Sequence, residues 1–237
     1  MRVARLVTTL VLAAHGSADP RSAANAHAVA GRLRRLRPGL DVRVAFCELN
    51  SPRLPEVLSP GAVVTPFLLA DAYHARMDIP RQIADFSEVR QAEVLGDDGR
   101  LVAVLRERLA EVGICGHEPN LGVVVAAIGS SHVAANARTA SVAVRLASGT
   151  RWAGATTAFA TGPGPRLAEA VEALRRDGAE QLVIAPWFLA PGRLLDRMAE
   201  YARGEDIPMA APLGAHRLVA ATVLDRYDAA LAEVMAA

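Results

Sequence analysis

The chain contains no lysine; all 26 residues in the Lys and Arg total are arginine. Any basic site must therefore grip carboxylates with planar, rigid guanidinium forks. Aromatic residues make up only 4% of the sequence, so a core has to be built from Leu, Val and Ala. Cysteine is equally scarce. Cys47 and Cys115 stand far apart without CxxC spacing, which excludes a disulfide framework and a zinc ribbon. That usage fits a reduced, cytoplasmic setting. No apolar run approaches the roughly 18 residues of a membrane span. A net charge of +1 offers no electrostatic footprint for nucleic acid or an anionic membrane. There is no GxxxxGK phosphate loop. The stretch Gly162-Pro163-Gly164-Pro165-Arg166 falls short of a dinucleotide fingerprint and reads as a turn.

What is present is a globular composition, 52% hydrophobic and 22% charged over 237 residues, enough for one large domain or two small ones. Arg2 and Arg5 before an apolar run imitate a signal peptide. That run flows instead into His15-Gly16-Ser17 and reads as a buried first strand over residues 4–14. A helix is expected from Pro20 to Leu36, with Pro20 suited to a first turn and Pro38-Gly39 as its stop. Strands follow at 42–46 and 62–68, with a short helix after Ser51-Pro52. A loop carrying Asp71, Tyr73 and His74 leads to a helix starting near Asp78. A short strand at 92–95 and a helix at 98–112 complete the half.

The order then begins again. Residues 115–120 read as a linker, and Val123-Val124-Val125-Ala126-Ala127-Ile128-Gly129-Ser130 parallels the first motif, with Ile128 in the place of His15. Expected elements are helix 132–148, strand 152–159, helix 164–177, strand 180–187, helix 192–203, a short strand near Ile207 and helix 215–234. Pro186-Trp187-Phe188-Leu189-Ala190 parallels Pro66-Phe67-Leu68-Leu69-Ala70, which sets Leu194 in the place of His74. This internal repeat of alternating strands and helices predicts an α/β protein of two similar domains, residues 1–114 and 120–237. Each is expected to be a mostly parallel sheet flanked by helices.

His15, Glu48 and His74 each fall just beyond a predicted strand. If those strands are parallel, the three side chains open onto one sheet edge, where ligands of open α/β sheets bind. Two imidazoles and a carboxylate suit a divalent first-row metal such as iron, cobalt or nickel. Gly16 allows close backbone approach, and Ser17 is placed to cap the next helix or donate a hydrogen bond. The bland alternatives are a packing histidine, a solvated Glu48 and a Tyr73 that merely anchors its loop. The repeat favours the sharper reading: the second half keeps the scaffold but carries Ile128 and Leu194 at the histidine positions, as one active and one structural half would.

Ala13-Ala14-His15-Gly16-Ser17, Ala45-Phe46-Cys47-Glu48 with Ser51-Pro52, and Pro66-Phe67-Leu68-Leu69-Ala70-Asp71-Ala72-Tyr73-His74 with Asp78-Ile79-Pro80 together resemble the sirohydrochlorin chelatases. These are class II tetrapyrrole chelatases, related to the cobaltochelatases of vitamin B12 synthesis. The second half resembles the degenerate repeat of two-domain members. Many relatives have glycines before the second histidine, whereas Asp71, Ala72 and Tyr73 stand there in this chain. The resemblance implies a chelatase-like fold and a lyase that inserts Fe2+ or Co2+ into sirohydrochlorin, for siroheme or cobalamin, without ATP or an organic cofactor. It assigns metal binding and catalysis to His15, Glu48 and His74. Ser17, Tyr73 and Arg76 become candidate substrate contacts, and Arg21, Arg53 and Arg193 further clamps for its carboxylates. The implied partner is the tetrapyrrole alone, with no nucleic acid or membrane, and the protein is expected to be a monomer with an intramolecular domain pair. A carrier of tetrapyrrole or metal would use the same residues without catalysis. Histidine phosphatases share a strand–His–Gly start, but they carry arginine directly before the histidine, where this chain has Ala14.

Overall fold

The computed structural model describes residues 9–236. Residues 4–8 of the expected first strand lie outside the described residues. The chain forms two compact units, one running up to Gly96 and including the segment from Ala215 onward, the other spanning Asp97–Gly214.

In the first unit, β1 (Thr9–Ala14) is buried along its whole length, as a central strand covered on both faces must be. It pairs in parallel with β2 (Asp41–Phe46) on one side and β3 (Val63–Pro66) on the other; β3 then pairs with β4 (Arg90–Gln91). The order is β2-β1-β3-β4. Between β1 and β2 runs α1 (Pro20–Leu36), whose buried Ala26, Val29, Ala30 and Leu33 recur at helical spacing. Its N-cap is Asp19, which accepts the Arg21 N–H at 3.0 Å. Ser17 stands further out and its hydroxyl accepts the Asp19 N–H at 3.0 Å. A 3-10 turn (Leu54–Val57) follows β2. Truncating a fully buried residue such as Leu12 removes its burial and leaves a cavity, about 2–5 kcal/mol.

The second unit repeats the plan. The strands β5 (Leu121–Ala127), β6 (Gly154–Phe159) and β7 (Gln181–Trp187) are all parallel, in the order β6-β5-β7. The helices α4 (Val133–Ala147) and α5 (Leu167–Arg176) connect them, and α6 (Arg193–Gly204) follows β7. The strand expected near Ile207 is a single bridge between Ile184 and Met209. Pro208 and Pro212 flank it, and a proline has no N–H to extend a ladder. The expected strand 92–95 likewise shifts: pairing is made at Arg90–Gln91 and carried one step further by the Ala92 N–H to the Val64 carbonyl at 2.8 Å.

The packing units are cut differently from the sequence repeats. Helix α3 (Gly99–Glu111) packs on α4 and β7, and α7 (Arg217–Ala236) packs on α1 and β3. Each repeat thus gives its last helix to the other unit, and the segment 115–120 packs with the second unit. An amphipathic helix shows the same apolar stripe whichever sheet it covers, so the pattern that located α3 and α7 left their partners open. Each crossing is held by an arginine on the returning helix. Arg226 donates to the carbonyls of Val94 and Leu95 at 3.0 and 3.1 Å. Arg108 does the same to Pro212 and Leu213 at 3.1 and 3.3 Å.

Candidate metal centre

The site is assembled by strand register. Ala14 is level with Phe46, and the pairing continues past the strand ends: the Cys47 N–H reaches the Ala14 carbonyl at 2.9 Å and the Glu48 N–H the His15 carbonyl at 3.0 Å. This sets His15 directly beside Glu48, with His15 Nδ1 3.4 Å from Glu48 Oε1. Gly16 makes the approach possible. Its φ is +100°, and a Cβ there would lie 1.8 Å from the Glu48 carbonyl oxygen.

His74 arrives from the far side of β1. The sequence reading put it in a loop; instead it begins a widened, π-helical turn (His74–Asp78) that runs directly into α2 (Ile79–Ile83). Pro80 has no N–H for the carbonyl of residue 76, and its ring crowds that carbonyl. A wider turn just before it relieves the conflict, with the Ile79 N–H bonding back to the His74 carbonyl. Such single π turns recur at functional sites.

The three candidate ligands converge. Ligand atoms of His15, Glu48 and His74 lie within 4.8 Å of one another. The two imidazole centroids are 4.0 Å apart and steeply inclined, at 70°. None of the three is buried: His15 and Glu48 are 43% and 47% exposed, so the site is open to a large ligand. His15 Nδ1 lies 2.8 Å from the Gly16 carbonyl and His74 Nδ1 3.0 Å from Asp78 Oδ2. A carbonyl or carboxylate only accepts, so each Nδ1 carries hydrogen, which in the neutral imidazole leaves the lone pair on Nε2. Burial acts to raise the Asp78 pKa, but hydrogen bonds from His74 and Gln82 and the nearby imidazoles outweigh it and hold the carboxyl below its ordinary range. In the sequence Asp78 reads as a helix start and part of a motif, without a role in the site. Its signal was the His74, Asp78, Gln82 spacing, one residue per turn on a single helical face.

The other expected contacts are placed less directly. The Tyr73 ring stands edge-on to His74 at 5.6 Å and is half exposed. Arg76 is engaged with Asp71 at 2.6 Å, and Arg21 with Asp19. Arg53 donates to the Cys47 carbonyl at 3.2 Å, supporting the turn that carries Glu48. The Ser17 N–H donates to Asn50 Oδ1 at 2.6 Å, and Arg193 opens α6 in the second unit. Leu49, Tyr73 and Met77, all exposed large apolar side chains, sit one to three residues from Glu48 or His74 in the chain.

The second repeat preserves this backbone without the donors. The Thr161 N–H reaches the Ile128 carbonyl at 2.8 Å, and a Cβ on Gly129 would lie 2.1 Å from the Thr161 carbonyl. Thr161 and Ile128 therefore stand where Glu48 and His15 do. Gly162-Pro163-Gly164-Pro165-Arg166 is a turn, as expected, and it is also the counterpart of the segment ending in Arg53. The Arg166 N–H donates to Glu169 as that of Arg53 does to Glu56, and its guanidinium reaches the carbonyl of Phe159, one residue earlier in register than the Cys47 carbonyl that Arg53 reaches.

Among the described residues, two tandem parallel α/β repeats carry a converging pair of imidazoles and a carboxylate, a candidate metal site, at the strand ends of the first repeat only. The CbiX family model matches residues 9–112 and 122–230, one match to each repeat. The chain belongs to the CbiX family, the sirohydrochlorin chelatases that its motifs resemble. It is similar to a sirohydrochlorin ferrochelatase of Priestia megaterium, 29% identical over 184 residues, covering 71% of this chain and 69% of that protein. It is also similar to a sirohydrochlorin cobaltochelatase of the same organism, 27% identical over 177 residues, covering 68% of this chain and 58% of the relative. The fold is that of SirB from Bacillus subtilis with Fe3+, at a TM-score of 0.79 and 21% identity, covering 93% and 94% of the two chains.

Proposed function

We propose that this protein inserts a divalent metal ion into sirohydrochlorin, with Fe2+ as its metal, and that the reaction takes place at His15, Glu48 and His74. The observation that carries the reading is the convergence of these three ligand atoms within 4.8 Å on one exposed sheet edge. A site that must hand its metal on needs few protein ligands and open positions, unlike a closed structural site. Leu49, Tyr73 and Met77 supply apolar surface suited to the face of a planar macrocycle. Both a ferrochelatase and a cobaltochelatase are among its relatives, and iron is chosen because the ferrochelatase is matched over the longer stretch, 184 residues against 177.

The balance of the reaction sets what the residues must do. A dication enters as two pyrrole N–H protons leave, so charge is conserved. The Nε2 lone pairs of His15 and His74 hold the incoming ion. The Glu48 carboxylate, beside His15 and nearly half exposed, accepts protons and passes them to water. The bare second repeat is structural in this reading. No organic cofactor takes part, and the protein acts in the cytoplasm as a monomer.

The test is an anaerobic absorbance assay of sirohydrochlorin with Fe2+, Co2+ or Ni2+. The protein should accelerate metallation, fastest with Fe2+. His15→Ala and His74→Ala should each cost about 10²–10³ in rate, the loss of ~3–4 kcal/mol of transition-state stabilisation, at an unchanged melting temperature. The double change Ile128→Ala and Leu194→Ala should leave the metal requirement intact. Binding of both substrates without any acceleration would replace the enzyme by a carrier.

A further inference from the structure

We propose that Asp78 is a positioning residue, which locks His74 with its hydrogen on Nδ1 and so presents Nε2 to the incoming metal. Both oxygens of Asp78 are committed. Oδ2 faces His74 Nδ1 at 3.0 Å, and Oδ1 accepts from Gln82 Nε2 at 2.9 Å. The same Gln82 nitrogen lies 3.3 Å from the carbonyl of Cys47, the residue before Glu48. His74, Asp78, Gln82 and the Glu48 strand end thus form one connected hydrogen-bonded row. A carboxylate held at both oxygens cannot rotate away from the ring, and an imidazole tied to it keeps one tautomer and one orientation.

The π-helical turn serves this arrangement. It sets Asp78 against His74 while Ile79, the next residue, is fully buried in the core. In the second repeat, where Leu194 replaces the histidine, α6 is a regular α-helix. The irregular turn and the histidine occur together, in the repeat that carries the metal centre. His15 reaches the same protonation pattern by another route, through the Gly16 carbonyl at 2.8 Å. Both rings then offer the same kind of nitrogen.

The inference rests on the proposed metal chemistry for its effect on turnover, but its first readouts need no tetrapyrrole. In 15N-histidine-labelled protein, long-range proton–nitrogen correlation should show His74 with hydrogen on Nδ1. Asp78→Asn keeps the shape but can donate to Nδ1 as well as accept, so the His74 signals should shift towards a mixture of tautomers. Co2+ titration, followed by its visible absorption, should show affinity weakened by about 10–100-fold. With sirohydrochlorin, kcat should fall by a similar factor while KM for the tetrapyrrole stays unchanged. Gln82→Met, which retains the His74–Asp78 bond but loses its brace, should change all three in the same direction by less. Hydrogen on Nε2 of His74 in the unaltered protein would overturn the proposal. So would a folded Asp78→Asn protein with the His74 signals and Co2+ affinity of the parent. If Asp78→Asn does not fold, a Gln82→Met protein indistinguishable from the parent in both readouts would reduce Asp78 to a structural role and overturn it too. An unaltered protein that binds Co2+ but metallates nothing would sink the chelatase reading while leaving this inference in place.

Discussion

Gly16 and Glu48 touch backbone to side-chain vacancy: the Cβ that Gly16 lacks would sit 1.8 Å from the carbonyl oxygen of Glu48. Glycine is required twice over, by that approach and by a φ of +100°. Gly16→Ala should therefore push the Glu48 segment away from His15, with a stability cost of about 1–3 kcal/mol from backbone strain and loss of Co2+ binding. Gly129→Ala, whose Cβ would meet the Thr161 carbonyl at 2.1 Å, should cost similar stability but leave metal binding intact. Thermal melts paired with Co2+ titrations separate the two. Equal metal affinity in the Gly16→Ala protein and the parent would show that the close approach does not shape the site.

The arginines that hold the two crossings should be equivalent in effect. Arg108→Ala and Arg226→Ala each strip a charged donor from two backbone carbonyls. Each should destabilise the protein by about 1–3 kcal/mol. Amide hydrogen exchange should rise locally, around 212–214 for the first and around 94–96 for the second. Uniformly raised exchange across the chain in both variants would mean that the crossings are not separately anchored.

The two thiols should differ sharply in reactivity. Burial, reinforced by the nearby Asp78 and Glu48 carboxylates, pushes the Cys47 thiol up to about 12, so almost no thiolate is present near neutral pH. Cys115 is exposed. Iodoacetamide at neutral pH should label Cys115 in the folded protein and reach Cys47 only on unfolding, as read by peptide mass spectrometry. Labelling of Cys47 at a rate similar to Cys115 would contradict the burial argument.

Glu118 should make stability depend on acid. A hydrogen bond from the Cys115 side chain at 3.0 Å, with others from the Cys115 N–H at 2.8 Å and Trp152 at 3.2 Å, holds its carboxyl down to about 2, against an ordinary 4.5. A depressed folded-state value stabilises the fold at pH above the unfolded value, and that stabilisation disappears as pH falls through the folded value. The melting temperature of Glu118→Gln should therefore lie below that of the parent near neutrality, and the gap should close between about 4.5 and about 2. The group is largely solvated, so the gap should be small. A gap that widens on acidification would reverse the sign of the argument.

The amino-acid sequence by itself determined the parallel α/β class, the tandem repeat and the three donors. Each rests on local signals. A short apolar run such as Leu10 to Ala14, ended by Gly16, fits a strand covered on both faces. Asp19-Pro20 and Pro38-Gly39 bracket α1 because capping and chain stiffness are properties of neighbouring residues. Matching the two halves against each other then exposed His15 and His74 by their replacement with Ile128 and Leu194. Where expectation and structure part, the missing information is non-local. The strand near Ile207 shrank to one bridge because pairing depends on which N–H groups a proline-flanked segment can offer to a neighbour. The loop at Tyr73 and His74 is helical because the core position of Ile79 and the ring of Pro80 together require a widened turn. The i, i+4 spacing that lets Asp78 meet His74 is local, but the widened form of the turn is what the tertiary structure alone decided. The exchange of α3 and α7 belongs to the same class: an apolar stripe states that a helix must be covered, while only packing selects the sheet that covers it.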